Sequence, residues 1–193
     1  HAFQAEFGAE VPWRVRMSGG EASSSCRFTV AFPMSRPLDQ LRPPLVILDG
    51  LGSCHNVGEV LRTAFLLGVV SVVASRAAWG SLNGRACSVS AGSLYFMDFH
   101  VADSFPGALQ ELRKLGIRLY AAENHFPEPV TPHKPPGDHR WALVIGHEER
   151  GVSEEAVALS DACICVPQRR GESLNVAHAA AVCLHELSRH MGR

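Results

Sequence analysis

Leu45-Val46-Ile47-Leu48-Asp49-Gly50-Leu51-Gly52-Ser53-Cys54-His55-Asn56-Val57-Gly58-Glu59-Val60-Leu61-Arg62-Thr63-Ala64 decides the fold class of this chain. Four consecutive apolar residues, Leu45 to Leu48, followed by a glycine-containing loop, read as a short strand buried on both faces. A helical stretch follows from Val57 to Leu67, and Gly68 stops it. The alternation then continues along the chain. Val69 to Ala74 reads as a strand, Ser104 to Leu115 as a helix ended by Gly116, and Ile117 to Ala122 as a strand. Beyond a Pro-rich loop from Phe126 to Pro136 come a strand at Trp141 to Ile145, a short helix at Ser153 to Leu159 and a strand at Ala162 to Val166. A long helix from Leu174 to about His190 closes the pattern. Near-continuous apolar strands alternating with helices predict an α/β fold, a parallel sheet with helices on both faces.

Residues 1–43 read differently. They hold the small polar run Ser18 to Ser25 and end in Pro43-Pro44, and only Cys26 to Phe32 has the character of a strand. The chain opens on His1 rather than Met. We therefore expect residues 1–43 to be a linker or the remnant of a preceding region, and residues 44–193 to form the main folded domain.

Composition narrows the function. At 193 residues, 46% hydrophobic and 19% charged, the chain can bury a full core without a disulfide or metal staple. No stretch of about 18 apolar residues suggests a membrane span, and the net charge of −1 gives no overall attraction to nucleic acid. Sixteen of the 18 basic residues are arginine, the better fork for phosphate, although base composition of the source genome produces the same bias. The six cysteines contain no CxxC pair. Cys163 and Cys165 alternate on one strand, so a single face is expected for both. Buried thiols in a reducing cytoplasm are the expectation. His178 and His185 can share a helical face but lack a third ligand, so no metal is expected.

The unusual residues gather in three loops that follow strands, where open parallel sheets bind ligands. In the first, Asn56 is placed as the helix cap with Glu59 completing a capping box. Arg62 stands four residues from Gly58, on the face where glycine leaves the backbone open. In the second, Gly146-His147-Glu148-Glu149-Arg150-Gly151-Val152-Ser153, two glycines bound an acidic turn and Ser153 caps the next helix. An acidic residue between them suits hydroxyls or a cation rather than phosphate. Neither a Walker A pattern nor G-x-G-x-x-G is present. In the third, Pro167-Gln168-Arg169-Arg170-Gly171-Glu172-Ser173-Leu174-Asn175-Val176, Ser173 is placed as the cap of the final helix. That leaves Asn175 inside the first turn, where asparagine is disfavoured. Arg169 and Arg170 are suited to phosphate contact.

In this order, the three segments resemble the SpoU (TrmH) family of RNA ribose methyltransferases. The likeness rests on Asn56, Gly58 and Arg62, on Gly146, Glu148 and Gly151, and on Pro167 with Ser173-Leu174-Asn175-Val176. It implies methyl transfer from S-adenosylmethionine to a ribose 2′-hydroxyl of tRNA or rRNA, in a homodimer whose C-terminal segment threads a deep trefoil knot, with residues 1–43 a linker or remnant of an N-terminal RNA-binding region and residues 44–193 the catalytic domain. It also implies that Gly146, Val166 and Leu174 line the donor pocket, with Pro167 shaping the loop. By the same resemblance Arg62 is expected to carry activity, as a base or as a stabiliser of the alkoxide or phosphate. Asn56, Glu148, Ser173 and Asn175 are expected to form the supporting shell, and Arg62, Arg169 and Arg170 to meet RNA. His147, Glu149 and Gln168-Arg169-Arg170 depart from the usual motifs close to that pocket. The alternative is a catalytically weak RNA-binding relative of the same fold.

Overall fold

A computed structural model describes residues 16–18, 27–29, 32–124, 139–171 and 173–189. The chain divides into two units, His1–Pro33 and Met34–Arg193. In the first, β1 (Arg16–Ser18) pairs antiparallel with β2 (Arg27–Thr29), Met17 opposite Phe28. The Pro-rich loop at 126–136 and the helix end expected near His190 lie outside the described residues.

The second unit is a six-stranded parallel sheet in the order β5-β4-β3-β7-β6-β8. Its elements are β3 (Leu45–Leu48), α1 (Cys54–Leu66), β4 (Ser71–Ser75), α2 (Arg76–Gly80), α3 (Gly84–Val89), β5 (Asp98–Ala102) and α4 (Phe105–Lys114). They continue with β6 (Arg118–Ala122), β7 (Trp141–Ile145), α5 (Glu154–Leu159), β8 (Ala162–Ile164) and α6 (Val176–Ser188). β3 and β7 lie side by side at the centre, Leu45 opposite Ala142 and Leu48 opposite Ile145. Every residue of both strands is buried. Fully burying one such Val, Leu or Ile side chain contributes about 1.5–3 kcal/mol, which explains why the central strands carry no polar residue.

Alternate strand residues point to opposite faces, and the two faces have different covers. Leu45, Ile47, Leu119, Ala121 and Val144 pack with Leu109 and Leu112 of α4 and Ala156 of α5. The opposite face is covered by α6, which touches β6 and β7 and packs against α1; α1 in turn packs against α3. The expected α/β class and sheet are therefore present. Among the described residues no helix is long and apolar enough to cross a membrane.

The composition boundary at residue 43 moves. Residues 34–43 extend the sheet beyond β5: Ser35 bridges Phe99 in parallel and Arg36 N donates to Phe99 O at 2.7 Å. Leu38 and Leu41 then bury in the core. The run looked linker-like because only two of its side chains face inward, and the remainder lies on the surface or at the edge.

Candidate active site

β3 and β7 carry the first and second motif loops out of the same, carboxyl end of the sheet. β3 is also where the strand order turns back, the place open parallel sheets reserve for ligands. Asp49 N donates to Ile145 O at 2.8 Å and Asp49 Oδ2 accepts from Ser153 N at 2.7 Å, so the two loops leave together. Glu148 completes the tie. Its Oε2 accepts from Gly52 N (3.1 Å), and its Oε1 from Ser53 N (2.9 Å) and Asn56 Nδ2 (2.9 Å). Asn175 Nδ2 in turn donates to Asn56 Oδ1 at 3.2 Å. One chain of hydrogen bonds, Asn175 to Asn56 to Glu148, thus joins three loops separated by 119 and 92 residues.

That chain exists because the caps differ from the sequence expectation. Ser53, not Asn56, caps α1, accepting from Asn56 N at 3.4 Å, so α1 begins at Cys54. Relieved of capping, the Asn56 amide spans Glu148 and Asn175. Asn175, not Ser173, caps α6: its Oδ1 accepts from Ala177 N at 2.8 Å while its amide nitrogen reaches Asn56. No helix-interior cost is incurred there. Gly58 is not open to a ligand either. A Cβ on it would lie 2.7 Å from Val89 Cβ and 2.8 Å from Ala86 O, so its bareness admits α3. Ser153 does cap α5, with Glu154 and Glu155 in the first turn.

Burial pushes the Glu148 carboxyl up, but the Asn56 amide, the Glu148 backbone N–H and the N–H groups of Gly52 and Ser53 outweigh it and hold it below its ordinary 4.5. A carboxylate depressed on folding stabilises the protein above its ordinary pKa, and that stability is lost as pH falls through the depressed value. Glu148→Gln presents an NH2 to one of the N–H donors and is expected to cost about 1–3 kcal/mol at neutral pH. The gap in urea midpoint between wild type and variant should narrow below pH 4.5. A gap that does not change with pH contradicts this account.

The second loop closes on itself through His147 N to Gly151 O and Gly151 N to His147 O, both 2.9 Å. A Cβ on Gly146 would stand 2.1 Å from the Gly151 carbonyl, so only glycine allows the strand end to press against the loop. Beneath it, Glu123 Oε2 accepts from Val152 N at 3.0 Å, and a Cβ on Gly151 would lie 2.3 Å from the same oxygen. Between this loop, the ends of β6 and β8 and the third motif lies a cleft of about 330 Å³. Gly146, Glu148, Val166, Ser173 and Leu174 line it, as do Glu123, Asn124 and Cys183, which sequence reasoning did not single out. Pro167 is exposed and outside the lining.

Arg62 lies elsewhere. It is exposed on α1 and lines a separate groove of about 500 Å³ with His55, Glu59, Val89 and His178. It makes no hydrogen bond or ion pair to another described residue. Arg169 and Arg170 are exposed on the loop after β8. The expected single face for Cys163 and Cys165 also fails, because β8 ends at Ile164. Cys163 packs against the α4–α5 core, where burial and then Glu123 raise its thiol, while Cys165 meets Asn124 Oδ1 at 3.3 Å. Among the described residues no group of three or more His, Cys, Asp or Glu is placed to hold a metal.

The model of the SpoU rRNA Methylase family matches residues 43–185. The chain belongs to the SpoU methylase family. All three motif loops and most of α6 fall within the match. An uncharacterised tRNA/rRNA methyltransferase of Mycobacterium bovis is 32% identical over 151 residues, 75% of this chain and 51% of that protein. The 23S rRNA (guanosine-2'-O-)-methyltransferase RlmB of Bordetella pertussis is 30% identical over 161 residues, 82% of this chain and 65% of its own. The chain thus spans about half the length of the mycobacterial relative and under two thirds of the Bordetella one. Among solved structures, the SpoU methyltransferase AviRb of Streptomyces viridochromogenes, crystallised with the cofactor AdoMet, superposes with a TM-score of 0.73. It is 25% identical and covers 85% of this chain and 68% of that one. The SpoU fold of this chain is therefore the six-stranded parallel α/β sheet described above.

Proposed function

We propose that this SpoU chain is the catalytic part of an S-adenosylmethionine-dependent methyltransferase that modifies a ribose 2′-hydroxyl of tRNA or rRNA. The observation that carries the reading is the Asn175–Asn56–Glu148 chain, which ties the first motif to the second and third, the two whose residues line one cleft. The cleft suits the donor: its volume lies at the lower end of the 300–1,000 Å³ usual for ligand sites. Gly146 lets main chain form its wall, Ile164, Val166, Leu174 and Val176 supply apolar surface, and Asn124 and Ser173 supply hydrogen-bonding groups. When bound, S-adenosylmethionine supplies an electrophilic methyl group on a sulfonium.

The chain's own residues then have to orient the acceptor and manage its proton. Arg62 is the residue we assign to the ribose, either helping the hydroxyl lose its proton or stabilising the alkoxide and adjacent phosphate. Because Arg62 does not line the cleft of its own chain, we assign it to the cleft of a partner in a homodimer. Arg169 and Arg170, exposed beside the cleft loops, are suited to RNA phosphates. The run from edge strand β8 to α6, which returns across β6 and β7 to α1, supports a C-terminal trefoil knot. Residues 1–33 fit a linker or remnant of an N-terminal RNA-binding region, and a cytoplasmic site of action fits an RNA substrate.

Donor titration by calorimetry tests the assignment. Saturable binding of S-adenosylmethionine, one per chain, is expected from protein whose folding is verified by circular dichroism. Folded protein that gives no binding would favour an RNA-binding relative without transferase activity.

A further inference from the structure

The cleft has an unusual charge for a site near a polyanionic substrate. Glu123, Glu148 and Glu149 all line it, and among the described residues no lysine or arginine does. Glu148 and Glu123 are held by backbone N–H groups, but the Glu149 side chain is exposed at the rim, and its backbone N–H donates to His147 Nδ1 at 3.1 Å. The charge of Glu149 is therefore not needed to build the loop. The arginines assigned to RNA lie outside the lining, on α1 and on the loop after β8. Positive and negative work are thus divided between two surfaces.

The ligands on the two sides of methyl transfer differ in charge in a way this division would read. S-adenosylmethionine carries a sulfonium, an ammonium and a carboxylate. Its demethylated product, S-adenosylhomocysteine, keeps the last two and has a neutral thioether. We propose that the acidic lining of the cleft, with Glu149 as its adjustable member, makes this protein prefer the cationic donor over the neutral product and so favours product release. The preference rests on the cleft being the donor site. Glu148 supports it, because its hydrogen bonds keep it ionised at neutral pH. Glu149 is a specificity residue here; it holds no part of the hydrogen-bonded junction.

The magnitude follows from exposure. A solvent-accessible charge facing another contributes roughly 1.4- to 5-fold in affinity, and added salt screens it. The test is calorimetric titration of the wild-type protein, Glu149→Gln and Glu149→Lys with three ligands: S-adenosylmethionine, S-adenosylhomocysteine and sinefungin, which carries an amine in place of the sulfonium. Wild type is expected to bind the two cationic ligands more tightly than the neutral one. Glu149→Gln should reduce that preference by roughly 1.4- to 5-fold and Glu149→Lys by more, with S-adenosylhomocysteine affinity nearly unchanged. Raising the salt should shrink the wild-type preference toward that of Glu149→Gln. A preference that neither variant alters overturns the inference while leaving the donor site intact. Failure of folded wild-type protein to bind any of the three overturns the reading of the cleft itself, and the charge preference falls with it.

Discussion

Arg62→Ala is expected to lower methyl transfer to RNA by about 10²- to 10³-fold, the range for losing one donor that stabilises developing charge. Donor affinity should stay at the wild-type value. The separation follows from placement: Arg62 lines the α1–α3–α6 groove and not the cleft. Stability should also hold, since the side chain is exposed and has no hydrogen bond or ion pair to another described residue; surface changes of this kind usually stay within about 0.5 kcal/mol. Arg62→Lys should recover little activity, because an ammonium cannot reproduce the planar two-pronged contact of a guanidinium with phosphate. Single-turnover transfer assays with parallel donor titrations check both halves. A variant that transfers at the wild-type rate, or that loses donor binding to the same degree, contradicts the assignment.

Gly146→Ala should be the most damaging single methyl group in the domain. Its Cβ would sit 2.1 Å from the Gly151 carbonyl and 2.2 Å from Val152 N, backbone atoms that cannot rotate away. Glu123 holds that backbone from beneath through Val152 N, so the loop has no free direction in which to yield. The cost lies at or above the upper end of the ~1–3 kcal/mol typical of overpacking, which lowers Tm by about 6–12 °C in a domain of this size. Loss of donor binding should accompany it, because the displaced loop is one wall of the cleft. Gly52→Ala is the control. Its Cβ would find no neighbour closer than 3.6 Å, and alanine keeps the N–H that Glu148 accepts. A wild-type Tm for Gly146→Ala measured beside Gly52→Ala would refute the tight approach.

Much of the sheet was legible because its central strands are buried on both sides. Leu45–Leu48 and Trp141–Ile145 appear in the sequence with the same limits they have in the fold. The edge was less legible. β5 reads Asp-Phe-His-Val-Ala, with Asp98 and His100 half-buried at the margin, so no apolar run announces it. The two short helices before it, Arg76–Gly80 and Gly84–Val89, went unread although Ser75 and Asn83 cap them. Their purpose is visible only in space, where Gly58 admits α3.

The site shows the same division. Motif spacing picked out Asn56, Glu148 and Asn175, but local rules assigned two of them to the wrong duty. A cap is a local property, and both Ser53 and Asn56, or Ser173 and Asn175, satisfy it on paper. The choice is made by a tertiary demand: the amides of Asn56 and Asn175 are needed across the junction. Glu123 and Asn124 carried no signal, since they follow β6 in a stretch without a motif and gain their place from contact with a loop about 30 residues away. Linker character at 34–43 was likewise a surface impression that Leu38 and Leu41 overturn.

The neutral overall charge, −1 across 193 residues, also acquires a meaning. It conceals a local separation, with three glutamates lining the cleft and exposed arginines outside it, and each part is assigned a separate ligand. The most direct measurement of the central claim is transfer of labelled methyl from S-adenosylmethionine to total RNA, followed by nucleoside mass spectrometry. Label is expected in 2′-O-methylated nucleosides, resistant to alkaline cleavage at the 3′ phosphodiester, and is expected to be lost with Arg62→Ala. Label found only on bases, or no label from folded protein that binds the donor, would contradict it.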